Sequence, residues 1–176
     1  MTPNLQSPIN QSPMNQSPIN QSLSSRQPNS RHCFACGLEN SNGLALRFDA
    51  IGPDEVMAET VIDDRFQGYP GVVHGGIVAA MLDEVAGRAG MVDDHNHFMV
   101  TAKLTVRYRK PVPVGQPLRL VGRVTQRRGR IASAVAEVQL ADGTIGADAE
   151  ATLADWPGEV NAPGQLEALG WKVYPD

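Results

Sequence analysis

Residues 72–91 read VVHGGIVAAMLDEVAGRAGM. Wound at 3.6 residues per turn, the stretch from Ile77 to Ala86 is apolar on nearly every side and rich in good helix formers. A helix apolar all round is normally buried all round, so the rest of the chain has to wrap it. The flanking sequence is suited to that. Val100, Ala102, Leu104, Val106 and Tyr108 alternate with Thr101, Lys103, Thr105, Arg107 and Arg109. This is the period of two of a half-buried strand, ended by Pro111 and Pro113. Upstream, Leu44, Leu46 and Phe48 alternate with Ala45, Arg47 and Asp49 as a first strand, and Gly52-Pro53-Asp54 turns the chain into a second from Glu55 to Ile62. Downstream, Leu118 to Arg127, Ile131 to Leu140 and Thr144 to Leu153 read as three more, with Gly129 and Asp142-Gly143 as hairpin turns. The expected fold is α+β, a long central helix wrapped by a curled antiparallel sheet of about five or six strands.

Two features of this helix bear on chemistry. Asp83 and Glu84 are its only acids, and a buried carboxylate is unfavourable unless paired or hydrogen-bonded. For Glu84 the plainer reading is that the helix reaches the surface there or that the acid caps a neighbouring loop. At the other end, Gly75 and Gly76 leave the first amide N–H groups bare at the positive end of the helix dipole. Such a terminus suits a phosphate, a carboxylate or a developing oxyanion, although a tight turn would explain two glycines equally well. His74 and Asp83 are nine residues apart, which sets them on opposite sides of the helix with ~13 Å of rise between them. One helix therefore cannot bring both features onto one reacting group. If both serve one site, two copies lie side by side as a two-fold dimer with shared sites.

Composition bounds the remaining possibilities. The chain has 176 residues and a formal charge of −4. Its first thirty residues hold 17 Asn, Gln or Ser and five prolines, with QSPIN-QSPMN-QSPIN at 6–20. Proline at every fifth position blocks regular ladders, and so polar a stretch buries too little surface to offset its ordering entropy. Residues 1–30 are thus expected to be a disordered tail, 31–156 the domain, and 157–176 a tail lying over the surface. The acidic balance argues against nucleic acid as a partner. No apolar run is long enough to span a membrane and no secretory signal is recognisable, so the expected location is the cytoplasm. Cys33 and Cys36 are too few for a disulfide scaffold. His32-Cys33-x-x-Cys36 lacks the four ligands of structural zinc, with only His95 and His97 as distant candidates, and reads as packing in a turn. Asp93, Asp94, His95 and His97 read as an exposed connection. No metal and no cofactor is expected.

The run His74-Gly75-Gly76 followed by an apolar helix with Asp83 resembles the HGG-x6-D signature of hotdog-fold acyl-CoA thioesterases of the phenylacetate-pathway and THEM type. CFACGLENSNGLALRF at 33–48, FQGYPGVVHGG at 66–76 and TAKLTVRYRKPVPVG at 101–115 are also similar to that family, and the resemblance covers about residues 33–154. It implies a hotdog fold and a homodimer or dimer of dimers that hydrolyses acyl-CoA to free acid and CoA without a metal. Carried over to this sequence, Asp83 is the general base or nucleophile. The Gly75 N–H polarises the thioester carbonyl, and the Thr101 hydroxyl positions water. His74 and Gly76 complete the motif at the substrate. Some relatives carry an Asn where this chain has Gly68, so neighbouring Gln67 is the candidate to supply an equivalent amide. Lys103, Arg107, Arg109, Lys110, Arg123, Arg127, Arg128 and Arg130 form a cationic set for the CoA phosphates, with Arg107 and Arg109 singled out. The alternatives are a non-catalytic acyl-CoA-binding hotdog protein and a dehydratase or hydratase. The latter is expected to use a histidine as acid and base, a role for which His74 at the helix mouth is poorly placed.

Overall fold

A computed structural model describes residues 25–156, 158 and 164–175. The apolar run forms helix α1, Gly75–Ala89. His74 is its N-cap: its backbone is extended and its Nδ1 accepts the Gly76 N–H at 3.0 Å. The strands are β1 Ser25–Arg26, β2 Asp49–Gly52, β3 Glu55–Val61, β4 Met99–Tyr108, β5 Pro117–Arg128, β6 Ile131–Gln139 and β7 Ile145–Asp155, and a short helix α2 spans Gln165–Leu169. The strands make one antiparallel sheet in the order β1-β2-β3-β5-β6-β7-β4. The architecture is the expected helix wrapped by a curled sheet.

The sheet touches the helix through small residues. Ala132, Ala134 and Ala136 of β6 and Ala147, Ala149 and Ala151 of β7 are buried on the inner face, against the larger Met81, Leu82 and Val85 of α1. At Gly122 of β5 the backbones themselves meet, since a Cβ built there would lie 2.2 Å from the Val85 carbonyl oxygen. That contact cannot be relieved by a side-chain rotation. Gly122→Ala is therefore expected to push helix and sheet apart and to cost about 1–3 kcal/mol, read as a lower urea midpoint at unchanged slope.

Three expectations at the N-terminal end need correction. Leu44, Leu46 and Phe48 are buried in alternation as expected, but residues 44–48 do not join the sheet. Ala45 takes a positive φ of 51°, and the Leu44 and Leu46 N–H groups donate to the carbonyls of Phe34 and Ala35 in the cysteine-bearing turn. The ladder starts only at Asp49. Secondly, the sheet has seven strands, because β1 lies within residues assigned to the tail. Thirdly, Gln27, Asn29 and Ser30 are buried, so the domain begins before residue 31. Among the described residues the amide N–H groups of two of these polar side chains find partners inside the domain, although Gln27 Oε1 accepts no hydrogen bond. Asn29 Nδ2 donates to the Cys36 and Leu46 carbonyls at 2.6 and 2.7 Å, and Gln27 Nε2 to the Arg88 carbonyl at 3.1 Å. The QSPIN repeat lies outside the described residues. The C-terminal segment packs on the domain: Trp171 meets Phe98 with ring centroids 5.1 Å apart and donates to the His95 carbonyl.

Two surfaces are left uncovered side by side. Gly76, Ala79, Ala80, Asp83 and Gly87, on one side of α1, are not buried. Beside them β4 has a neighbour among the described residues, β7, on one edge only.

Candidate active site

The uncovered side of α1 opens onto a cavity of about 1010 Å³. Asp83 lines it from the helix, Thr101 from β4, and Met91, Phe98, Met99, Trp156 and Trp171 supply much of its apolar wall. Asp83 is half-buried and has no hydrogen-bond partner among the described residues. Thr101 reaches the cavity through a bulge. Thr101 pairs with Leu153 and Lys103 with Thr152, so one residue of β4 is extra at that point. Directly paired residues share a face. The bulge therefore puts both Thr101 and Leu104 on the inner face, where strict alternation would have separated them. Gly87, one turn beyond Asp83, also lines the cavity, and a Cβ there would meet nothing within 4 Å.

The helix mouth is elsewhere. His74, Gly75, Gly76 and Gln67 do not line this cavity. The Gly76 N–H is taken by His74 Nδ1, whereas no acceptor among the described residues meets the Gly75 N–H. Tyr108, a residue the sequence reading passed over except as a strand position, donates its hydroxyl to the Gly75 carbonyl at 2.9 Å, and its ring lies against the Gly75 Cα. Gln67 serves its own turn: its Oε1 accepts the Gly71 N–H at 3.2 Å. At Gly68 a Cβ would meet His74 Cα at 3.2 Å, so the glycine lets this turn lie close to the helix start. One chain thus brings Asp83 and Thr101 together and leaves the Gly75 donor apart, as the spacing along the helix requires.

The cations divide as well. Arg109 is held by Asp148, Arg123 by Glu55 at 2.8 Å and Arg127 by Asp54 at 2.7 Å. Arg107 is exposed on the outer face of β4 and has no acidic partner among the described residues. Of the two arginines singled out, Arg107 alone has its guanidinium uncommitted.

Glu84 departs from expectation. Its side chain keeps about a fifth of its surface exposed toward the cavity and caps no loop among the described residues; an ion pair accounts for it. It pairs at 2.9 Å with Arg88, which is itself buried, and burial pushes its pKa up to about 7 against the pull of Arg88. The i,i+4 spacing of Glu84 and Arg88 was visible in the sequence and marks such a pair. Cys33 lies beside it with Sγ 4.0 Å from Glu84 Oε2. A hydrogen bond from Cys36 and the amides of Cys36 and Ala35 bring the Cys33 thiol down to about 6. The same contact and burial push Cys36 up to about 12. Both cysteines, Glu84 and Arg88 line the cavity that holds Asp83. His95 and His97 are not part of this group: His97 Nε2 meets Asp155 at 2.8 Å, and the His95 carbonyl accepts from Trp171.

Comparison with known proteins agrees with this architecture. Residues 70–147 match the thioesterase superfamily. A 64-residue stretch, 36% of the chain, is 41% identical to the acyl-coenzyme A thioesterase THEM4 of Xenopus laevis, of whose length it spans 28%. A crystallised thioesterase superfamily protein superimposes with a TM-score of 0.66 at 30% identity, covering 71% of this chain and 61% of that one. A phenylacetic acid degradation-related protein from Ralstonia eutropha JMP134 does so with a TM-score of 0.56 at 27% identity, covering 63% and 85%. Among the described residues no helix is long and apolar enough to cross a membrane.

Proposed function

Because the chain belongs to the thioesterase superfamily and carries its hotdog fold, we propose that it hydrolyses acyl-CoA thioesters to a free acid and CoA. The observation that carries this reading is an unpartnered carboxylate, Asp83, facing an apolar cavity beside the Thr101 hydroxyl. Asp83 accepts a proton from a water that Thr101 helps to hold, and that water attacks the thioester carbon. Attack by the carboxylate itself gives the same products through an anhydride that water then opens. Charge developing on the carbonyl oxygen needs a donor already in place, and the Gly75 N–H of a second copy is the donor without a competing acceptor. Collapse expels the CoA sulfur as thiolate.

Two copies joined along the free edge of β4 would cover the open side of α1 and set each Asp83 near the other's helix mouth. His74 and Gly76 shape that mouth. Of the two arginines, Arg107 is the more available to a CoA phosphate, with Arg109 contributing only if it leaves Asp148. The apolar wall suits a hydrocarbon or aryl acyl group. Bare Gly87 keeps the cavity wide beside Asp83.

The test is thiol release from a panel of acyl-CoAs of increasing chain length, with an arylacetyl member, run on wild type and on Gly87→Leu. Turnover is expected, and the substituted protein should lose its longer substrates first. Tight acyl-CoA binding with no thiol release across the panel would instead support the non-catalytic binding protein.

A further inference from the structure

The turn at residues 33–37 has a geometry that packing alone does not call for. Cys33 and Cys36 are three residues apart, and the Cys36 N–H points at Cys33 Sγ at 3.4 Å. The chain then passes so close to itself that a Cβ at Gly37 would fall 2.3 Å from the Cys33 carbonyl oxygen. Amide-to-sulfur bonds stabilise a thiolate and orient its remaining lone pairs, and the glycine lets the turn close tightly enough for both sulfurs to converge. Ser30 fixes the turn from below, its hydroxyl accepting the Cys33 N–H at 3.2 Å and lying 3.7 Å from Cys36 Sγ.

The third component comes from α1, 51 residues from Cys33 in sequence. Arg88 holds Glu84 Oε1, which leaves Oε2 aimed at Cys33 Sγ. The donor atoms of Cys33, Cys36 and Glu84 all lie within 4.8 Å of one another. A tetrahedral zinc sits ~2.3 Å from sulfur and ~2.0 Å from oxygen, so its donors are ~3.5–3.8 Å apart. The donors are 4.0 Å apart for Cys33 Sγ and Glu84 Oε2 and span up to 4.8 Å together, so an ion would draw them in by up to about 1 Å through side-chain rotation. Charge agrees with geometry. Two thiolates and a carboxylate beside one guanidinium leave two negative charges, which a single dication neutralises in a place where unpaired charge is disfavoured.

We propose that Cys33, Cys36 and Glu84 form a binding site for one thiophilic divalent cation, zinc by chemistry, with Arg88 as the outer partner that orients the carboxylate. The fourth coordination position opens to the cavity that these three residues line. The site stands on its own residues and does not depend on the proposed hydrolysis.

The full chain, prepared without a histidine tag, would be stripped with a chelator under reducing conditions and titrated with Co²⁺ and then Zn²⁺. The expected result is one equivalent per chain, a thiolate-to-cobalt charge-transfer band with the visible bands of a tetrahedral site, and displacement of cobalt by zinc. Glu84→Gln keeps both thiols and should bind zinc at least ~10-fold more weakly, and Cys36→Ser should lose the site. Circular dichroism would report whether each variant folds, and the wild-type cobalt spectrum decides the matter even where one does not. The absence of a charge-transfer band would overturn the proposal, as would unweakened zinc binding by a folded Glu84→Gln. A Cys33–Cys36 disulfide that forms in air equally fast with or without zinc would also overturn it, and would make the pair a redox couple instead.

Discussion

Asp83→Asn is expected to lower kcat for acyl-CoA hydrolysis by about 10²–10⁴-fold, the usual contribution of a positioned general base. The amide has the same shape but takes no proton from water and does not attack a carbonyl. KM should move little, because in the proposed mechanism the carboxylate acts on the reacting atoms and the cavity wall and Arg107 hold the acyl and CoA moieties. Asp83 has no hydrogen-bond partner among the described residues, so its replacement breaks no network and the variant should unfold at the wild-type urea midpoint. Steady-state thiol release and a denaturation curve on the same preparation check both halves. A variant that turns over at the wild-type rate would remove Asp83 from the mechanism, and one that loses activity together with its fold would say nothing for catalysis.

Arg88→Ala should have the largest effect on stability, about 3–5 kcal/mol, because it strips one partner from a buried ion pair. The guanidinium does more than pair with Glu84. It donates to the Pro28 carbonyl at 2.6 Å and lies 4.9 Å from the ring centroids of both Phe48 and Trp171. One planar group thus joins the segment after β1, the helix, the core and the C-terminal segment. Lysine has no such plane, so Arg88→Lys should recover only part of the loss. The deficit also has a pH signature. Glu84 has a folded-state pKa of about 7, raised from 4.5, so the stability linked to it is complete below about 4.5 and lost as pH rises through 7. Removing Arg88 takes away the one influence that favours its charged form. The Arg88→Ala deficit is therefore expected to be smaller near pH 6, where Glu84 takes up a proton, and larger at pH 8. Urea titrations of chelator-treated protein at the two pH values would show it, and a deficit independent of pH would mean that Glu84 is not left charged.

What could be read in the sequence follows from how locally each feature is encoded. Helix α1 and the strands from β3 onward rest on periodicity within ten or fifteen residues, and both the pattern and the turns between them were legible. The HGG start and Asp83 were equally plain, since each is a departure from an apolar run. The N-terminal end was misread because its amide groups donate to distant partners: Asn29 to the carbonyls of Cys36 and Leu46, Gln27 to the carbonyl of Arg88. Nothing within a short window separates that from disorder. Glu84 was misread for the related reason that its environment is assembled from Cys33, Cys36 and Arg88, two of them some fifty residues away. Thr101 shows the opposite case. Alternation gave it the wrong face, and the bulge that corrects this is fixed by the register against β7.

The order of the strands has a further implication. Polymerisation by strand addition requires two receptive termini on each molecule, as in a fibre. Here β4 is one such terminus, ten residues long, whereas the other end of the order is β1, two residues long among the described ones. A copy added at β4 by two-fold symmetry uses up the receptive terminus of both molecules, so the series stops at its first member. Lys103 and Arg107, exposed on the outer face of β4, would also repel like charges in any parallel stack. Among the described residues, the topology alone would then limit self-association to that pair of copies.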